Sequence, residues 1–316
     1  MNEFQLIQQI QRQTSVASHG VKLGIGDDAA VIEIPAGQQL VAATDTLNTG
    51  IHFPDDTSAF DIGHKCLAVN LSDLAAMGAS PQWVLLSLSM PQADPDWLHD
   101  FTAGFKSLAE RFGVALVGGD TTRGPLSICV TALGLIAPDT QLMRSGAQPG
   151  DLLVVSGTVG GAARVLDLLR DAASEIDRTL LDRPQPRVLL GQALVRHASA
   201  CIDISDGLLA DLGHLLTASG CSASVEIEQL PTPTGLQDLA DEQKWNYQLA
   251  GGDDYELLFT LPPRHAARIE YWRDELDIRL TVIGSIVEGE GIRCIAANGA
   301  EFHPQKTGWD HFGDKS

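Results

Sequence analysis

The 316-residue chain has no GxxxxGK(S/T) loop to cradle phosphates and no HRD or DFG segment, so any nucleotide chemistry must rest on other groups. Cations are scarce as well. Against 41 Asp and Glu there are 21 Lys and Arg, a formal charge of −20, which excludes the clustered basic surface that nucleic-acid binding requires. Its longest apolar runs, such as Trp83 to Leu88, are too short to cross a bilayer, so no membrane partner is expected. The five cysteines (Cys66, Cys129, Cys201, Cys221, Cys294) form no CxxC pair and are odd in number, and are read as reduced thiols. The opening MNEFQLIQQIQRQ has neither an apolar signal core nor a small-residue cleavage site, which makes the cytoplasm the expected compartment.

What the chain does have is an alternation of helical and extended patterns, which predicts an α/β or α+β protein rather than a sandwich or a bundle. Residues 4–13 have helical spacing, and 20–34 reads as strand, turn, strand around Gly26-Asp27-Asp28. Helices are expected over 59–78 and 96–112, with strands over 40–44, 83–90, 114–117 and 126–136. The turn-rich stretch 137–150 marks a boundary, giving a first domain over 1–140 and a second over 141–316. The second restarts with a strand at 152–157, passes a Pro-containing linker near 183–187, and continues with strands over 200–204, 222–227 and 257–261 and a helix over 205–218.

Many of the acids stand among glycines and small residues instead of in charge runs: Gly26-Asp27-Asp28, Thr44-Asp45-Thr46, Ser72-Asp73, Gly119-Asp120-Thr121, Asp203 with Ser205-Asp206, and Gly252-Asp253-Asp254. Carboxylates and hydroxyls are the oxygen donors that Mg²⁺ prefers. If several converge, their mutual repulsion is about 4 kcal/mol per pair at 4 Å in an effective dielectric near 20, and only cations could hold them together. Each segment also has a plainer reading, as a hairpin turn at 26–28 or a helix cap at Asp45 or Asp73. Asn70 and Asp73 share one helix face in apolar surroundings, which makes simple solvation of Asp73 a poor account. Gly118 to Pro125 reads as a tight phosphate and metal loop at a strand end, or as a polar connection. Asp203 to Gly207 ends a strand and opens a helix, where a capping role explains one acid but not both. Three acids at 253, 254 and 256 before an apolar strand favour binding over solvation. His52, Arg144 and Trp309 are lone signals that could equally be structural.

Taken in order, GIGDDAAV (24–31), ATDTL (43–47) with Gly50-Ile-His52-Phe, KCLAVNLSDLAAMGASP (65–81), VGGDTTRGPL (117–126), LMRSGAQPGD (142–151), IDISDGLLADLGH (202–214), GGDDYELLFT (251–260) and GWDHF (308–312) resemble the thiamine-monophosphate kinases, within the superfamily of aminoimidazole ribonucleotide synthetase. The resemblance covers nearly the whole chain. It implies a two-lobed aminoimidazole ribonucleotide synthetase-like fold, in which the sheet of the first lobe joins that of a second copy into a barrel and the second lobe is an α/β layer structure. It further implies ATP-dependent phosphorylation of thiamine monophosphate to thiamine diphosphate, the final step of making that cofactor, by direct transfer with no catalytic side chain forming a phosphoenzyme. ATP and several Mg²⁺ ions would lie between the lobes. The metal set by resemblance is Asp28, Thr44, Asp45, Asp73, Asp120, Asp203 and Asp206. ATP would meet Gly119, Asp120, Arg144 and Ser205, and thiamine monophosphate would meet His52, Asp253 and Trp309. Two positions depart from the family pattern: Asp253 stands where Glu is usual, and Ala43 where Ser often precedes the Thr-Asp pair, so Ala43 is left out of the metal set. An ATP-dependent synthetase, a Mg²⁺-dependent phosphohydrolase and a non-catalytic nucleotide-binding protein are the rival readings.

Overall fold

The computed structural model describes residues 3–14, 19–171 and 176–309. Contacts divide the chain into two compact units, one of Met1–Leu74 with Ala79–Thr140, the other of Ala75–Gly78 with Gln141–Ser316.

In the first unit, α1 (Glu3–Gln13) is followed by the short pair β1 (Val21–Leu23) and β2 (Val31–Ile32), then by β3 (Gln39–Asn48), α2 (Ala59–Ala76), β4 (Ser80–Met90), α3 (Pro95–Phe112), β5 (Ala115–Arg123) and β6 (Ser127–Ile136). The four longer strands form a sheet in the order β3-β6-β4-β5, antiparallel except for the parallel pair of β4 and β5. A parallel pair needs a crossover, and α3 supplies it. α3 is well bounded: Asp94 caps its start by accepting from the Asp96 and Trp97 amides, Pro95 sits at its first position, and Gly113 ends it in the left-handed conformation.

α2 and α3 cross almost in backbone contact. A Cβ at Gly63 would fall inside the van der Waals shell of the Phe101 carbonyl, and one at Gly104 inside that of Phe60. Gly104→Ala should therefore force the helices apart and lower stability by about 2 kcal/mol or more, read as a shift of the chemical-denaturation midpoint; an unchanged midpoint would show that the crossing can relax.

The predicted loop at 118–123 is instead strand. β5 runs through Gly118-Gly119-Asp120-Thr121-Thr122-Arg123, paired with β4 from Leu85 to Met90. Parallel pairing overrides the turn signal of the two glycines, which serve a bulge: a Cβ at Gly119 (φ 147°) would overlap the Leu86 carbonyl. Alternation then divides the supposed loop between two faces of the sheet, Asp120 with Ser87 on one and Thr121 with Leu88 on the other.

The second unit contains β7 (Leu152–Ser156), α4 (Gly161–Arg170), α5 (Thr179–Asp182), α6 (Val188–Leu194), β8 (Ala200–Asp203), α7 (Leu208–Ser219), β9 (Ser222–Glu226), α8 (Asp241–Ala250), β10 (Leu257–Leu261), α9 (Arg268–Leu276), β11 (Leu280–Val287), β12 (Ile292–Ile295) and β13 (Glu301–Phe302). Its strands form one sheet in the order β13-β12-β9-β11-β7-β10-β8. β7 and β10 are buried almost throughout and read as continuous apolar runs, as central strands covered on both faces do, and the edge strand β8 is buried as well. Leu208, Leu212, Leu215 and Leu216 of α7 pack into the same core as Leu153, Val155, Ile202 and Leu258. All five cysteines are free thiols, and among the described residues no helix is long and apolar enough to cross a membrane.

Candidate functional site

In the first unit the acids Asp45 and Asp73 meet. Asp45 lies on β3, its amide donating to Asn70 Oδ1 at 3.1 Å, while Asn70, fully buried on α2, donates back to the Cys66 carbonyl. Burial raises the Asp45 carboxyl above its ordinary value, opposed by a side-chain hydrogen bond with Asp73. Two acids in such contact are held together by a shared proton or by a cation. The shared face of Asn70 and Asp73 is thus turned to β3, in line with the spacing.

The neighbouring hydroxyl is not part of this pair. Thr44 Oγ1 donates to the Val130 carbonyl at 3.1 Å and lies 3.1 Å from Thr131 Oγ1, on the other face of the sheet from Asp45. The period of two along a strand is the reason. For the same reason Asp120 faces away from Asp45: the register aligns Thr46, Cys129, Ser87 and Asp120 in one row, and Asp45, Val130, Leu86 and Gly119 in the next. Asp28 is exposed beyond β1, its amide bonded to Asp27 Oδ1 at 2.9 Å.

His52 sits in the turn after β3. Its Nδ1 accepts from the Asn48 amide at 3.0 Å, so the neutral ring carries its proton on Nε2. Lys65, buried on α2, donates to the His52 carbonyl at 3.0 Å and pins that turn.

The second unit brings three distant segments together. Asp203 ends β8, and the turn Ile204 to Gly207 runs from it into α7. Opposite, residues 252–256 continue the antiparallel pairing of β8 and β10 past the strand ends: Ile204 N–H donates to the Glu256 carbonyl, Tyr255 N–H to Ile204, and Asp253 N–H to Ser205, each at 2.8 Å. The third segment arrives at Trp309, whose N–H donates to the Asp206 carbonyl at 2.9 Å while its side chain stays exposed. Asp203, Ser205, Asp206, Asp253 and Trp309, named from separate motifs, therefore share one end of the sheet. The rest of the GWDHF motif, residues 310–312, lies outside the described residues.

Neither Asp203 nor Asp206 caps α7. The amides of Ser205, Asp206 and Gly207 all donate to Asp211 Oδ2, at 3.0, 3.1 and 3.1 Å. Burial, then the charges of Asp203 and Asp206, push the Asp211 carboxyl up to about 7 against these amides. Asp211 lies within IDISDGLLADLGH without a role assigned from the sequence; its signal there is an acid in the first turn of a largely apolar helix.

Two of the three acids expected to bind at 253–256 have internal partners instead. Asp254 Oδ2 accepts from the Gly160 amide at 2.7 Å at the start of α4, and burial raises its carboxyl well above the ordinary value despite that bond. Glu256 accepts from Arg187 through both Nε and Nη2 and from Ser156 Oγ at 2.5 Å. Arg187 belongs to the expected linker, and nothing local signals a partner 69 positions away. Asp253 differs from both in its backbone. It and Tyr255 adopt positive φ (68° and 51°), which is costly for residues with side chains, and the Tyr255 hydroxyl donates to Asp253 Oδ1 at 3.2 Å.

Arg144 stands apart. Its side chain is exposed and its carbonyl accepts from Ser219 Oγ at the C-terminal end of α7, roughly 18 Å of helix from the Ser205 turn.

Among the described residues no three or more His, Cys, Asp and Glu side chains form a ready-made metal cage. The acids crowd in pairs, Asp45 with Asp73, and Asp203 and Asp206 each with Asp211. Such pairs suit Mg²⁺, which takes one or two carboxylates and keeps waters and substrate phosphates for its other positions.

Comparison with known proteins places the chain in a family. Residues 26–136 match the model of the AIR synthase related protein, N-terminal domain, and residues 148–296 that of the C-terminal domain. A thiamine-monophosphate kinase of Haemophilus influenzae is 42% identical, with 99% of this chain and 98% of that protein covered. The crystal structure of thiamine-monophosphate kinase from Stenotrophomonas maltophilia superimposes with a TM-score of 0.87 at 46% identity, over 93% of this chain and 96% of that one. AaThiL complexed with AMPPCP and TMP does so with a TM-score of 0.76 at 33% identity, over 98% and 97%. The chain belongs to the AIR synthase related family, among its thiamine-monophosphate kinases.

Proposed function

We propose that this chain transfers the γ-phosphoryl group of ATP to thiamine monophosphate, giving thiamine diphosphate and ADP, the final step in making that cofactor. The observation that carries the reading is the convergence of Asp253 and Trp309 on the Ser205-Asp206 turn, in a chain related over nearly its whole length to thiamine-monophosphate kinases. A carboxylate and an exposed indole suit the cationic thiazolium ring of the acceptor. AMPPCP is an ATP analogue, and its presence with TMP in AaThiL supports the same pair of substrates here.

The acceptor phosphate is ionised near neutral pH, so direct in-line attack needs no side chain to uncover the nucleophile. Catalysis then rests on positioning and charge neutralisation. Asp45 and Asp73 in the first unit, and Asp203 and Asp206 in the second, are the residues that would hold Mg²⁺; Asp28 and Asp120 are further candidates through water. Bound Mg²⁺ supplies neutralisation of phosphate oxygens. The Nε2–H of His52 is oriented to donate, and Ser205, Gly119 and Arg144 remain candidates for ATP. Thr44 would serve only if its hydroxyl left the far face of the sheet.

We also infer a homodimer. β3 is a ten-residue edge strand with Leu40 45% exposed beside Ala42, Thr44 and Thr46, and a second copy of the same sheet would cover that face, closing a barrel. The first domain would thus carry dimerisation and one metal pair. A cytoplasmic location accords with five reduced thiols.

The test is incubation with ATP, Mg²⁺ and thiamine monophosphate, with thiamine and water as control acceptors and products resolved by chromatography. Equal amounts of thiamine diphosphate and ADP, abolished by a chelator, are expected. ADP without thiamine diphosphate would overturn the assignment in favour of hydrolysis or another acceptor.

A further inference from the structure

We propose that Asp211 is the positioning residue that sets the nucleotide-side acids and the acceptor-side residues of the second unit in register. The proposal rests on the kinase reading above. The turn Ser205-Asp206-Gly207 has two sides. On one, three consecutive amides converge on a single oxygen of Asp211, a side chain only 3% exposed. On the other, the carbonyls of Ser205 and Asp206 accept the N–H groups of Asp253 and Trp309.

Every peptide group of the turn is therefore committed, inward to Asp211 or outward to the residues assigned to the acceptor. Rotating either peptide plane would break an inward and an outward bond together. The surroundings leave little alternative geometry: a Cβ at Gly252 would strike the Ser205 carbonyl, and Gly207, at φ 126°, has the Ala250 carbonyl against the place a Cβ would take. Asp206 is the middle residue of this turn, and Asp203 ends the strand that leads into it.

A helix beginning at Leu208 needs its first amides satisfied, and an ordinary cap does that for amides that follow it in the chain. Asp211 instead reaches back from within the helix and gathers amides that precede it. As an anion it makes these bonds charge-assisted, at the expense of a third negative charge beside Asp203 and Asp206. That arrangement fixes a turn more than it starts a helix.

The experiment compares the full chain with Asp211→Ala and Asp211→Asn by residue-resolved hydrogen exchange without nucleotide, and by the KM of each substrate. For Asp211→Ala, exchange at the amides of 205, 206 and 207 should quicken at least about tenfold, that of Asp253 should follow, and β7 amides should not change. The KM for thiamine monophosphate and for MgATP should both rise by about tenfold or more. Asp211→Asn, which keeps an oxygen acceptor, should recover part of both effects, and decides the matter alone should Asp211→Ala fail to fold. Unchanged exchange at 205–207, or KM values within twofold of the parent when only thermal stability falls, would overturn the proposal. Should the parent protein fail to phosphorylate thiamine monophosphate, the kinase reading falls, and the exchange pattern still decides whether Asp211 holds the turn.

Discussion

Asp73→Asn should lower turnover by about 100-fold or more while leaving the protein folded. Its partner is Asp45. Asp45 is partly buried, its carboxyl raised by that burial, and it already has Asn70 against its amide. An amide at 73 can still hydrogen-bond Asp45, so packing of α2 on β3 survives. What disappears is one of two negative charges, and with it the field that favours a divalent ion over a proton between them. The expected signature is an Mg²⁺ activation curve displaced to higher concentration, with a melting temperature at or slightly above that of the parent in the absence of metal. Turnover within a few-fold of the parent would remove Asp73 from the metal set.

Arg187→Met should destabilise the second unit by about 3 to 5 kcal/mol, the cost of leaving a buried ion without its partner. Glu256 is buried and takes two hydrogens from Arg187 and one from Ser156; removing the guanidinium leaves Ser156 alone to stabilise the carboxylate. A Cβ on Gly157 would collide with the same carboxylate, so Glu256 has no room to swing toward solvent on that side. Glu256→Gln should cost less, and the double variant Arg187→Met with Glu256→Gln should lose clearly less than the sum, a coupling that chemical denaturation of the four proteins would measure. A single-variant loss below about 1 kcal/mol would show that water reaches and stabilises Glu256.

How much of this was legible depends on where each partner lies. The helix over 96–112 and the strand over 126–136 follow from spacing alone, because each buries one continuous face, whereas the helix over 59–78 is buried almost all round and is announced by its small and apolar residues. Asn70 with Asp73 was readable from helical spacing. The separation of Thr44 from Asp45 was equally available, since neighbours in a strand point to opposite faces, yet grouping them by motif hid it. Gly118 to Arg123 could not be read as strand: glycine, Asp and Thr are turn residues, and only the parallel pairing with β4 overrides them. Arg187 with Glu256, and Asp254 with Gly160, join residues far apart in the chain, and no local pattern announces them. Asp211 was in plain view within a quoted motif, but its role depends on which way three amides point, which is a property of the turn and not of the letters.

The stitching of residues 203–211, 252–256 and 309 also bears on when the protein becomes competent. Growing from its N-terminus, the chain presents Asp203 and Asp206 long before Asp253 or Trp309 exists to donate to the carbonyls of the turn. Until β10 inserts between β7 and β8, Asp211 can gather its amides, but the carbonyls on the other side have only water. The half of the candidate site built by residues 252–256 and 309 is therefore completed late in folding, after the sheet of its unit has closed.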